Sequence, residues 1–182
     1  MELKQLYREI VNEHNLHPSH KKDLANPTLV LNGVNPSCGD DINLQLVVRD
    51  GKIADAAFNG SGCAISQASA DMMIDLILGK DTDEALALAD DFMGMIKGTA
   101  SQEQVEALDE AAALQDIAHM PARVKCAVLG WRTMREMVEK LNADGPAADG
   151  TISAKAGSEC AVSSAVCKNN CTNGACCTSK RS

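Results

Sequence analysis

The stretch Asp41-Ile42-Asn43-Leu44-Gln45-Leu46-Val47-Val48-Arg49-Asp50-Gly51-Lys52-Ile53-Ala54-Asp55-Ala56-Ala57-Phe58 decides the fold class. Ile42, Leu44, Leu46 and Val48 alternate with Asp41, Asn43, Gln45 and Arg49, the period of a strand buried on one face. Asp50-Gly51 accepts the positive φ angles of a tight hairpin turn. Residues 52–58 then return as a second strand, and residues 28–31, upstream, read as a third. Past Gly60-Ser61-Gly62 the period changes. Ile65, Ala68, Met72 and Leu76 fall on one helical stripe, with Gly79 as its stop. Thr82 or Asp83 caps a further helix through residue 96, and Ser101 begins a shorter one through residue 115. Pro121 opens a last helix to about residue 141, with Val124, Val128, Trp131, Met134, Val138 and Leu141 as its apolar stripe. Before the meander, residues 2–13 form an amphipathic helix and residues 14–26 a polar loop. The pattern predicts an α+β fold: a small three-stranded antiparallel sheet packed by several helices.

Composition agrees. The chain has 182 residues, 45% of them hydrophobic and only 2% aromatic, so its core must be built from Ala, Leu, Ile, Val and Met, which favours helices. The length suits one domain with a sizeable core. A net charge of −8 argues against a nucleic-acid partner, because phosphate binding needs a basic face. Met1-Glu2-Leu3-Lys4 lacks the basic-then-apolar order of a signal peptide, and no apolar run reaches the length of a membrane span. The chain is therefore expected in the cytoplasm, away from membranes, where spaced cysteines more often serve metal or catalysis than disulfides. From residue 142 periodicity ends and Ala, Gly, Ser, Thr, Asn and Cys dominate. We expect a domain over residues 1–141 and a flexible, disordered cysteine-rich tail over residues 142–182.

Cys38, Cys63 and Cys126 lie in the globular part, whereas Cys160, Cys167, Cys171, Cys176 and Cys177 lie in the tail. Cys38 sits in a loop bracketed by Pro36 and Gly39, two residues before Asp40, so thiolate and carboxylate share a side if the segment is extended. Cys63 follows Gly-Ser-Gly at a helix start, where free N–H groups and the dipole lower a thiol pKa. Cys126 lies roughly 200° round the last helix from Val124, away from its apolar stripe. These positions suit a tetrahedral thiolate and carboxylate set for zinc, or equally small hydrophobes in the interior. No compact Cys-x-x-Cys pair is present to decide between them.

Asn35-Pro36-Ser37-Cys38-Gly39-Asp40, Gly60-Ser61-Gly62-Cys63-Ala64-Ile65-Ser66 and Pro121-Ala122-Arg123-Val124-Lys125-Cys126-Ala127 together resemble the three motifs of the NifU N-terminal/IscU scaffold superfamily. The likeness runs from Leu6 to about Leu141. It is nearest the SufU branch, because the stretch between Cys63 and Cys126 is long and Lys125 stands where IscU-type proteins carry histidine. The resemblance implies a Zn2+ site of Cys38, Asp40, Cys63 and Cys126. It also implies a zinc-dependent sulfur acceptor, with a SufS-like cysteine desulfurase and a downstream iron–sulfur assembly complex as partners. Cys38 is the implied acceptor, whereas Cys63, Cys126 and Asp40 hold the metal. The alternative function is a scaffold on which an iron–sulfur cluster is built on the same ligands. A metal store is a third reading, drawn only from the tail. Arg123 and Lys125 either offset the site's negative charge or are ordinary solvated helix-start charges. Tyr7 and Arg8 are candidate desulfurase contacts, and His17 and His20 are assigned to a docking loop in preference to a metal site. His119 is read as surface or outer-shell, Trp131 as core, and the methionines as packing.

Overall fold

The computed structural model describes residues 3–144 and 152–156. Helix α1 (Leu3–Leu16) leads into strands β1 (Leu29–Asn35), β2 (Asp40–Arg49) and β3 (Lys52–Ser61), then α2 (Ala64–Ile77) and α3 (Thr82–Lys97). A short α4 (Gln102–Glu106), a 3₁₀ segment (Asp109–His119), α5 (Pro121–Ala127) and α6 (Leu129–Asp144) follow, and β4 (Ile152–Ala156) comes last.

The antiparallel β1-β2-β3 meander has the predicted form. Leu29 pairs with Leu46, and Leu44 with Phe58, so the apolar residues of adjacent strands meet on one face. Asp50 (φ 52°) and Gly51 (φ 75°) both adopt the left-handed conformation of the β2–β3 turn. The strands are longer than the alternation alone suggested: β1 continues through Asn35 and β3 through Ser61. Ladder hydrogen bonds carry the pairing past the last clearly alternating residue. A fourth strand, β4, pairs parallel to β1 at the sheet edge, giving the order β3-β2-β1-β4. It falls in the segment assigned to the tail, where composition offers no strand period. The rest of the expected tail, with its five cysteines, lies outside the described residues.

Several helix ends differ from the sequence reading. Helix α1 extends to Leu16, which puts His14 on its last turn instead of in a loop. Asp81, not Thr82 or Asp83, caps α3: its side chain accepts from Glu84 N while Glu84 reaches back to Asp81 N. The helix expected over residues 101–115 is α4, capped by Ser101, followed by the tighter 3₁₀ segment. The last predicted helix is interrupted at Val128 into α5 and α6, although Arg132 N still bonds Val128 O.

The core lies between the sheet and α2, α3 and α6. Helix α6 packs on β1 and β2, while α2 packs on β3 and α1. Trp131 is fully buried and stacks on Phe92 with ring centroids 4.4 Å apart, and its indole N–H donates to Ser69 Oγ. Met72, Met73, Met95, Met134 and Met137 are buried and fill the space that a nearly aromatic-free sequence leaves. Among the described residues, no helix is long and apolar enough to cross a membrane.

Candidate metal centre

The site forms where the β1–β2 turn, the start of α2 and the end of α5 converge. Cys38 lies in the turn after Asn35, and both Cys38 N and Gly39 N donate to Asn35 O. Gly39 has φ 72°, so the two-residue step to Asp40 is folded and not extended; the turn itself brings the pair together. Asp40 opens β2 with its side chain inward and fully buried. Cys63 is the N-cap of α2 in extended conformation, with no side-chain cap bond of its own. Cys126 is fully buried despite lying off the predicted apolar stripe, because α5 packs on α2 and the 3₁₀ segment while Asn35 reaches its Sγ. Its Sγ faces Asn35 Nδ2 and the side chains of Cys38, Asp40 and Cys63. All three thiols are free.

One ligand atom each from Cys38, Asp40 and Cys126 lies within 4.8 Å of the other two. Cys63 is not part of that triplet. It meets the site through its backbone N–H, 2.7 Å from Asp40 Oδ1, and through a thiol contact with Cys126. Exposure is graded: Cys38 is exposed, Cys63 intermediate and Cys126 buried.

Two residues without an assigned role in the sequence reading organise this set. Buried Asn35 donates from Nδ2 to Asp40 Oδ2 at 2.9 Å and to Cys126 Sγ at 3.4 Å, while its Oδ1 accepts from Ser37 N. Ser66 Oγ lies 3.1 Å from Asp40 Oδ1 and 3.0 Å from Cys63 O, so its one proton serves either acceptor. Both sit inside the motifs quoted above, so their identity was visible but their partners were not. A Cβ at Gly62 would sit 2.4 Å from Ser66 Oγ and 3.3 Å from Asp40 Oδ1, so any larger residue there would push the Ser66 hydroxyl out of its place.

The electrostatics favour a cation. Burial opposes ionisation of Asp40, yet hydrogen bonds from Cys63 N, Cys126, Asn35 and Ser66 outweigh it and hold the carboxyl below its ordinary value. Burial pushes the Cys126 thiol far up, and contacts with Cys38, Asp40 and Cys63 add to that rise. Among the described residues no Lys, Arg or His forms an ion pair with Asp40. The site thus holds an ionised carboxylate beside thiols with no countercharge, and a divalent ion would supply that charge and reverse the thiol shift. Soft sulfur with one oxygen matches the donor preference of zinc. Arg123 and Lys125 are exposed on α5 beside Cys126.

A groove of about 500 Å³ adjoins the site between α1, the start of α2 and the 3₁₀ segment, lined among others by Tyr7, Arg8, Ile65, Leu114, Ile117 and Met120. Met120, immediately before α5, is 54% exposed and forms part of the groove's apolar lining. His17 and His119 are exposed and stand apart from the thiol cluster.

Comparison with known proteins places this geometry in context. The NifU-like N-terminal domain profile matches residues 6–127. An iron–sulfur cluster assembly scaffold protein IscU of Streptococcus pyogenes serotype M1 is 42% identical over 139 residues, 76% of this chain and 86% of that protein. The zinc-dependent sulfurtransferase SufU of Bacillus subtilis is 38% identical over 138 residues, 76% of this chain and 92% of that protein. Among solved structures, a candidate iron–sulfur cluster assembly scaffold for the SUF system of Fervidobacterium islandicum superposes with a TM-score of 0.69. It is 33% identical, and the match covers 75% of this chain and 99% of that one.

Proposed function

From the premise that this chain belongs to the NifU-like N-terminal domain family, we propose that it serves iron–sulfur cluster assembly as a zinc-dependent sulfur acceptor. Its sulfur comes from a cysteine desulfurase. The observation that carries this reading is the graded exposure of one cluster: Cys126 and Asp40 are sealed inside, while Cys38 faces solvent from a turn. Residues 1–141 carry the function, and the cytoplasm is its setting.

Cys63, Cys126, Asp40 and Cys38 are the residues that would hold the zinc. When bound, the ion keeps these thiols deprotonated near neutral pH. Asn35 and Ser66 fix the two oxygens of Asp40, so the buried side of the site keeps its shape while the Cys38 turn adjusts. The exposed Cys38 thiolate attacks the outer sulfur of the desulfurase persulfide. A new S–S bond forms at Cys38, the old S–S bond breaks, and the desulfurase cysteine leaves as thiolate. The sulfur moves as a neutral atom with no net oxidation. The groove at Tyr7 and Arg8 lies beside Cys63 and supports a docking surface there.

Cluster scaffolding on the same ligands is the second reading, favoured by the scaffold named in Streptococcus pyogenes. Lys125 and the long insert between Cys63 and Cys126 weigh toward the acceptor. Metal analysis and the absorption spectrum of the purified protein separate the two. A colourless protein with one zinc supports the acceptor, and a brown one with stoichiometric iron and sulfide supports the scaffold. Cys38→Ser tests the transfer step: it should fold yet fail to stimulate alanine release by a cognate desulfurase. Wild-type stimulation by this variant would remove Cys38 from the chemistry.

A further inference from the structure

A second cluster of ligating side chains is built on α2, two turns beyond Cys63. Asp71 and Asp75 are one helical turn apart and share a face. His14, on the last turn of α1, places Nδ1 2.8 Å from Asp71 Oδ2 and 4.0 Å from Asp75 Oδ2. One atom each of His14, Asp71 and Asp75 falls within 4.8 Å of the other two.

Each of these groups has an outer partner of the kind that orients metal ligands. The far nitrogen of His14, Nε2, lies 2.8 Å from Glu110 Oε2 of the 3₁₀ segment. His20 Nε2 lies 2.7 Å from Asp75 Oδ1, leaving Asp75 Oδ2 directed toward His14. Asp71, whose side chain is only 1% exposed, accepts from His20 N at 2.8 Å and Ser19 N at 3.2 Å. Histidine ligands commonly donate their second N–H to a carboxylate, and ligating carboxylates are themselves hydrogen-bonded.

The charge is unbalanced in the same sense. Among the described residues, the ion-pair partners of Asp71, Asp75 and Glu110 are the imidazoles of His14 and His20, and no Lys or Arg pairs with any of them. A cavity of about 430 Å³ opens on His14 and Glu110, and its other lining residues are Glu9, Glu13 and Ile10. The polar side chains along that route are the carboxylates of Glu9, Glu13 and Glu110 and the His14 imidazole.

We propose that His14, Asp71 and Asp75 bind one divalent cation of the hard-to-borderline class, with Glu110 and His20 as their outer partners. Binding exchanges the proton on His14 Nδ1 for the metal and keeps Nε2–H on Glu110. The ion ties α1 and the following loop to α2, the helix whose N-cap is Cys63. Nitrogen and oxygen donors separate it from the thiolate site by metal preference. This assignment does not depend on the sulfur-acceptor reading.

The test uses full-length protein as purified and Mn2+ as probe, since manganese favours oxygen and nitrogen over thiolate. Free Mn2+ is read from its six-line EPR signal. Wild type should deplete about one equivalent and melt at higher temperature with Mn2+ present. Asp75→Asn, at a half-exposed position, should fold normally, keep its thiol-site zinc and bind Mn2+ at least about tenfold more weakly. Asp83→Asn on α3, a surface carboxylate outside the cluster, should behave as wild type. An undiminished free-Mn2+ signal with wild type, or equal depletion by Asp75→Asn, would overturn the proposal and leave a clasp held by a proton alone.

Discussion

The two clusters flanking α2 solve one problem with different chemistry. Each centres on a fully buried aspartate, Asp40 or Asp71, that accepts backbone N–H groups from a neighbouring segment. At Asp40 the surroundings are thiols, an amide and a hydroxyl. At Asp71 they are an imidazole and backbone, with further carboxylates at the rim. The thiol cluster keeps its most exposed member, Cys38, on a turn at the surface; the imidazole cluster ties helix to helix. A buried carboxylate by itself therefore does not define a function. The softness of what faces it separates the proposed transfer site from an imidazole clasp.

The sharpest way to break this contrast is to remove a buried thiol. Cys126→Ser or Cys63→Ser should weaken zinc binding more than about 100-fold, beyond the loss caused by removing an outer partner, and lower the melting temperature. Full zinc content with unchanged melting in either variant would end the ligand assignment.

A smaller effect is expected from Asn35→Ala, which leaves all four proposed ligands in place. It strips a donor from Asp40 Oδ2 and Cys126 Sγ, so zinc affinity should fall about 10- to 100-fold. Competition with a chromophoric chelator measures this. An unchanged affinity would show that Asn35 shapes only the turn.

The imidazole cluster should reveal itself through pH. Burial opposes a charged His14, but hydrogen bonds to Asp71 and Glu110, with their charges, outweigh it and raise its pKa above 6.5. Asp75 and His20 face the same ring region from α2 and the loop, and Glu9 and Glu13 from α1. Protonation is thus favoured in the folded state. The stabilisation is fully present below pH 6.5 and is lost as pH rises through the raised value. With divalent ions chelated weakly enough to spare the thiol site, melting should fall on going above that value in wild type. In His14→Gln it should be flatter, and parallel curves would count against this role.

The smallest change should follow truncation after Asp144, which removes β4 and the cysteine-rich segment. One tightly held zinc and near-normal desulfurase stimulation are expected, with a modest loss of stability from the bared β1 edge. Loss of stimulation with zinc intact would make the distal cysteines part of the transfer path.

Local pattern made much of this molecule legible from sequence. Alternation in residues 41–49, Asp50-Gly51 and the helical stripes needed only nearest neighbours along the chain, and the meander and helices follow from them. The cysteine motifs likewise single out Cys38, Asp40 and Cys126, whose ligating atoms the fold brings together, and Cys63, whose backbone N–H meets Asp40. Helix termini were harder, since Asp81 rather than Thr82 caps α3 and tertiary contact holds α1 through His14. Three things belonged to the tertiary structure alone. Residues 26 to 91 positions apart had to meet before Ser66 and Cys126 could join Asn35 around Asp40. His14 met Asp71 across 57 positions and Glu110 across 96. Burial of Cys126 came from α5 packing on α2 and the 3₁₀ segment, against its place off the apolar stripe. The physical reason is range: periodicity records which face of an element is wetted, whereas a polar site is a meeting of several elements at hydrogen-bond distance.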